Sequence, residues 1–168
     1  DQEIQDEFSL KETDSWKIST ARKKFKIKGI DDKKIKLYHY RPFDFQFTYH
    51  SPILIDRSRG ELIGSISDSN IALAVTRQVS DPPFHHVFVT NSLSDICLIS
   101  TKTKESAYFF PMFRILDGVE VSNMSRNFIL NWQNILAITI SELEIFDYIY
   151  ALLNSEEFRK KYINSLLR

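Results

Sequence analysis

Between about residues 35 and 116 the apolar positions come in short runs rich in β-branched and aromatic side chains, with no long stretch at helical spacing. The runs predict strands at 35–40, 45–50, 70–77, 85–90, 95–100 and 107–110. Pro42, Pro52, the pair Pro82 and Pro83, and Pro111 punctuate them, because proline lacks the amide donor that a central strand needs. Arg57 to Ile66 is ambiguous: Leu62, Ile63 and Ile66 could line a short helix, which Gly60 and Gly64 weaken. Ahead of this body Phe25, Ile27, Ile35 and Leu37 alternate with lysines, a pattern that reads as a half-buried strand pair turned at Gly29 to Asp32. The last third changes period. Ser141 and Glu144 make a capping box, and Phe146, Ile149, Tyr150 and Leu153 follow at helical spacing, predicting a helix over about 142–153. Ser155 caps another, with Glu156 and Glu157 at the positive end of its dipole and Phe158, Tyr162, Ile163 and Leu166 on one face. Ser125 starts an earlier helix through Leu136. The fold class is therefore α+β: a β-rich body of mostly antiparallel twisted strands (about 35–116), then a helical tail (about 122–168) ending in a helical hairpin.

Composition narrows this little further. A chain of 168 residues and 19.7 kDa, 43% hydrophobic and 13% aromatic, has the size and core material of one globular domain. Lys plus Arg and Asp plus Glu each total 22, so the net charge is +0 and any nucleic-acid surface must come from local segregation of charge. Such segregation exists. Residues 1–14 are acidic and read with the following pair as a lead-in or linker (1–16), whereas from 17 to 36 a run of lysines and Arg22 faces only Asp31 and Asp32. The single Cys97 closes no intramolecular disulfide and suits a reducing cytosol. The longest apolar runs, such as Ile71 to Val75, fall far short of the ~20 residues that span a bilayer, so a cytoplasmic location without membrane contact is expected. The acidic start carries no signal peptide and no initiating Met, and reads as a piece of a longer polypeptide.

Few residues suggest chemistry. Asp81, Pro82, Pro83 and Phe84 match the short pattern with which amino-methyltransferases hold a target amine and stack on an extruded base. That chemistry also needs a methyl donor over a glycine-rich turn, and Gly29, Gly60, Gly64 and Gly118 form no cluster. A proline turn between strands is the simpler reading. His85 and His86 are adjacent, so on a strand one faces the core and one solvent, and they cannot chelate one metal together; His39, His50 or Cys97 would have to help from afar. No nucleophile elbow, phosphate loop or nuclease carboxylate set occurs.

What remains is a set of long polar side chains on or beside strands. Arg57 and Arg59 lie in a turn-prone loop, Arg77 and Gln78 end a strand, Asn91 follows the next, and Lys102 and Lys104 follow another. Arginine reads guanine, Gln and Asn read adenine, and lysines hold phosphates. With Lys24, Lys26, Lys28, His85 and His86 they form the candidate nucleic-acid contacts, each also explicable as an ordinary solvated or core side chain. No catalytic, cofactor-binding or metal residue is assigned.

An ordered set of stretches carries a resemblance: YRPFD (40–44), FTYH (47–50), VTRQV (75–79), FHHVFVTN (84–91), YFFPMF (108–113), IFDYIYALL (145–153) and FRKKY (158–162). From about residue 35 to the C-terminus the chain resembles the target-recognition, or specificity, domain of Type ISP and related Type IIG single-chain restriction-modification enzymes. The resemblance implies a domain (17–168) that recognises double-stranded DNA without activity of its own. It further implies an upstream methyltransferase domain of the same polypeptide, for which this one positions an adenine. S-adenosylmethionine, and Mg with ATP where a helicase-like ATPase is present, belong to that parent enzyme. YRPFD and IFDYIY read as scaffold, with Asp44 bonding backbone or pairing with Arg41. Two rival readings stand beside this one: a protein-interaction or assembly module, and a minimal amino-methyltransferase using Asp81 and Phe84.

Overall fold

A computed structural model of the chain describes residues 2–55 and 70–168, apart from the Thr103 side chain. The ambiguous stretch Arg57 to Ile66 lies outside them, as do the contacts assigned to Arg57 and Arg59. Two compact units form: Asp1–Leu37 with Phe47–Gly60, and Tyr38–Gln46 with Glu61–Arg168.

The first unit contains α1 (Gln2–Glu7) and α2 (Ile18–Lys28). Here the expected strand pair is wrong in its first half. Ile18 and Ala21 are buried and Phe25 half-buried, a spacing of three and four that makes one helical face, and lysine is a good helix former. The alternation of Phe25 and Ile27 covers too few residues to compete, and Ile27 is 90% exposed. Lys17 at the N-cap has no side-chain acceptor to offer the free amides, and the Glu12 carboxylate accepts the Ile18 amide at 2.9 Å instead, placing an anion at the positive end of the dipole. Gly29 closes the helix at φ 73, its amide bonding Phe25 O at 2.8 Å. Phe25 meets Tyr49 edge to face, and the Tyr49 hydroxyl accepts the Asp31 amide at 3.0 Å.

β1 (Ile35–Arg41) and β2 (Asp44–Tyr49) are joined by Pro42 and Phe43, the latter at φ 66. In the second unit β5 (Leu93–Ser94) pairs parallel with β1, Tyr38 opposite Leu93, giving the order β2-β1-β5. A second sheet has β3 (Ala72–Thr76) between antiparallel neighbours β4 (Val87–Thr90) and β6 (Ala107–Pro111), with Ala74 opposite both Phe88 and Phe109. Along β3, Ala72, Ala74 and Thr76 are buried and Leu73 and Val75 half-buried. Leu73 and Val75 pack on a cluster of Val79, Phe84 and Val87, which Leu153, Ile163, Leu166 and Leu167 of the helical tail complete. Burial of this kind stabilises by about 1.5–3 kcal/mol per large apolar side chain.

Two further differences from the expected strands have local causes. Residues 95–100 turn instead of extending, because the Asp95 carboxylate accepts the Cys97 amide at 2.6 Å. A hairpin of β7 (Phe113–Leu116) and β8 (Val119–Ser122) was not anticipated; Asp117 at φ 51 and Gly118 at φ 78 make its two-residue turn. The tail follows expectation closely as α3 (Arg126–Leu136), α4 (Glu142–Asn154) and α5 (Glu156–Leu166). Ser141 and Glu144 form the reciprocal capping box, and Ser155 caps α5 by accepting the Phe158 amide. The architecture is α+β: α1 and α2 precede the strands, and α3 to α5 follow them. No helix among the described residues is long and apolar enough to cross a membrane.

Candidate nucleic-acid interface

One buried carboxylate organises the polar loops of the second unit. Glu105, 2% exposed, ends a 3-10 turn (Thr103–Glu105) that contains the candidate Lys104 and has the candidate Lys102 at its N-cap. Its Oε1 accepts the Ser80 amide at 2.7 Å, and its Oε2 accepts the Ser100 hydroxyl at 2.5 Å and faces His86 Nε2 at 3.3 Å. These donors, the Ser100 hydroxyl foremost and the Ser80 amide next, pull the Glu105 pKa down to about 2. Lys102 Nζ reaches Asp81 at 3.0 Å and Glu105 at 3.8 Å, and the hydrogen bond to Asp81 raises the lysine pKa. Two loops, 77–86 and 100–105, are thereby fastened together.

On these loops Arg77, Gln78, His85, Lys102 and Lys104 are exposed. His86 is not available: its Nδ1 accepts the His85 amide at 3.3 Å while its Nε2 faces Glu105. The two histidines thus divide as expected, one outward and one inward. Asn91 is exposed at the far end of β4, roughly 16 Å from His86 at the usual strand rise, and its Oδ1 accepts the Ser92 hydroxyl. Lys24, Lys26 and Lys28 belong to the first unit. On a strand they would share one face; on α2 Lys24 and Lys28 lie a turn apart and Lys26 roughly opposite, so the helix splits the expected basic row. Lys26 and Lys28 also complement the negative end of that helix.

Phe84 is 3% exposed within the core cluster and cannot stack on an extruded base, and Asp81 is paired with Lys102. The Asp81 to Phe84 stretch is a structural turn. Among the described residues no three of His, Cys, Asp and Glu gather closely enough to hold a metal ion.

The residues around Asp95 are scaffold. Its Oδ2 accepts the Tyr38 hydroxyl at 2.8 Å and its Oδ1 meets Arg41 at 3.2 Å, while Asp44 accepts from Gln46. Burial and Asp95 together push the Tyr38 phenol far above its ordinary value. Burial, with help from Asp95, also raises the Cys97 thiol, which stays protonated at neutral pH. Sequence reasoning overlooked Glu105, which joins nearby Ser100 to Ser80 and His86, both distant in sequence. It likewise overlooked Arg159, whose guanidinium touches His85; the FRKKY stretch had contributed only to the family resemblance.

The family model of the Type ISP C-terminal specificity domain matches residues 1–168. The chain belongs to that family. Solved structures similar to this specificity domain include a cryoEM DrdV–DNA complex, 25% identical with a TM-score of 0.71, the match covering 83% of this chain and 14% of that one. A nuclease-deletion mutant of the Type ISP restriction-modification enzyme LlaGI, in complex with a DNA substrate mimic, is 22% identical (TM-score 0.59; 83% and 12% covered). The ATP-dependent Type ISP restriction-modification enzyme LlaBIII, bound to DNA, is 20% identical (TM-score 0.65; 94% and 10% covered). At these identities the latter two share the fold. The specificity domain spans only about a tenth to a seventh of the length of these proteins. No curated protein matches the chain.

Proposed function

We propose that this specificity domain reads a short sequence of double-stranded DNA and has no activity alone. In its parent polypeptide it would present one adenine for extrusion into an upstream methyltransferase domain. The observation that carries this reading is the exposed set Arg77, Gln78 and His85 on loops that Glu105 holds rigid, in a chain of the Type ISP specificity family. Exposed side chains of these types on loops tied together through Glu105 suit base edges in the major groove. Lys24, Lys26, Lys28, Lys104 and Lys102 would serve the phosphates, a phosphate taking the place of Asp81 on Lys102. Asn91 supplies a separate polar contact, and Arg57 and Arg59 complete the set on chemical grounds.

S-adenosylmethionine would be bound by the parent enzyme, as would Mg and ATP where an ATPase accompanies it, and the parent would act in the cytoplasm. Helix α3 has no buried residue and leaves Ile135 72% exposed with Leu136 and Phe128 also open, a face suited to packing on the upstream domain. The decisive experiment measures the salt dependence of binding to a random pool of duplex DNA, with sequencing of the bound fraction. Affinity that falls with salt and an enriched short motif is the expected result. Binding to a partner protein with no salt-dependent DNA affinity would overturn the reading in favour of an assembly module.

A further inference from the structure

We propose that Arg159 locks His85 into the tautomer whose outward Nε2–H is a donor, and that this donor selects an acceptor on one base edge. The proposal rests on the DNA-reading function above. Arginine has only N–H donors and no acceptor, so the 2.9 Å contact between Arg159 Nη1 and His85 Nδ1 has a single polarity: Nδ1 accepts. The ring proton then resides on Nε2.

Arg159 is itself held from several sides. Its Nε donates to Leu153 O at 2.6 Å and its Nη2 to Asn154 Oδ1 at 2.7 Å. Asn154 Nδ2 donates to Tyr150 O at 2.9 Å, which turns its oxygen towards the guanidinium. The guanidinium carbon lies 5.8 Å from the centre of the buried Phe84 ring. The junction of α4 and α5 thus holds one ring nitrogen of an exposed histidine. Neighbouring His86 has both nitrogens engaged, by the His85 amide and by Glu105, and offers no such donor.

A fixed outward donor favours purine N7, guanine O6 or thymine O4 and opposes the exocyclic amine of cytosine. A phosphate oxygen would accept it equally, but its loss would weaken binding to every sequence alike.

Two measurements test this. In the nitrogen-15-labelled chain at neutral pH, the His85 imidazole should give the Nε2–H pattern; an Nδ1–H pattern or an even mixture would overturn the lock. In selections from random duplex DNA, His85→Ala and Arg159→Met should lose preference at the same single position, by about fivefold to tenfold. His85→Gln, whose amide nitrogen occupies the place of Nε2, should keep it. An unchanged motif in His85→Ala, or uniformly weaker binding, would overturn the base contact and leave the reading by other residues intact. If the wild-type chain enriches no motif, the DNA-reading function itself fails, and the base contact with it.

Discussion

Glu105 Oε1 accepts the backbone amide of Ser80 at 2.7 Å, across 25 residues of sequence, and that bond makes the loop after β3 part of the loop before β6. A carboxylate buried this deeply is tolerable because its other oxygen accepts Ser100 and faces His86. Removing it leaves the Ser80 amide, the Ser100 hydroxyl and His86 without their shared acceptor.

Glu105→Ala should therefore destabilise the domain by about 3 kcal/mol at neutral pH, read from urea unfolding. The acid limb gives a second test. A carboxyl lowered from 4.5 to about 2 contributes its stability fully above pH 4.5 and loses it as pH falls towards 2. Glu105→Gln should lack that contribution, so its stability should change less than wild type over the same window. Equal acid slopes in the two proteins would contradict the assigned hydrogen bonds.

Histidines set a separate window. Burial lowers the pKa of His39 below 6.5, opposed in part by Asp44, and burial with Lys36 lowers that of His50. Each neutral ring contributes stability above pH 6.5 that is lost as pH falls through its folded value, because the unfolded chain binds the proton more readily. His39 is stacked on Phe45 at 4.1 Å and shares a 3.1 Å hydrogen bond with Thr90 through Nδ1. His39→Gln and His50→Gln should each flatten the fall in urea midpoint between neutral pH and about pH 5. A double variant as acid-sensitive as wild type would place the sensitivity elsewhere.

The Asp117 and Gly118 turn isolates a backbone effect. A Cβ at Gly118 would meet nothing within 4 Å, so Gly118→Ala suffers only from φ 78. The expected loss is about 1 kcal/mol. A neutral substitution, measured by the same unfolding, would mean that the β7–β8 hairpin does not contribute to the cooperative unit.

How much of this could be read beforehand follows from the range of the interactions. The tail was legible because its caps are local: Ser141 with Glu144, and Ser155 with the Phe158 amide, are neighbours in sequence. The central strands were legible through Pro and β-branched runs. Helix α2 was misread because Phe25 and Ile27 suggested period two, whereas Ile18, Ala21 and Phe25 form the face that is buried. The Asp-Gly pair at 117–118 carried a hairpin signal that went unused. Exposure of Arg77, Gln78 and His85 agrees with their chemical type, but no local pattern announces that Glu105 meets Ser80 and His86 or that Arg159 meets His85. Such contacts join segments that only the fold brings together.

Arg77 and Lys24 separate reading from docking. Arg77 is exposed just beyond β3, which is hydrogen-bonded on both sides, and the Ser80 amide is fixed to Glu105 three residues later. A guanidinium carried on backbone anchored this way can meet a guanine edge with both nitrogens, and Arg77→Ala should relax preference at one base pair by about 1–3 kcal/mol. Lys24 is exposed on α2, on a long flexible stem that suits a phosphate better than a base. Lys24→Glu should weaken binding to all sequences and flatten the salt dependence, leaving the selected motif as it was. Sequencing the bound pool for each variant at two salt concentrations distinguishes the roles. If both variants kept wild-type affinity and motif, neither residue would touch DNA.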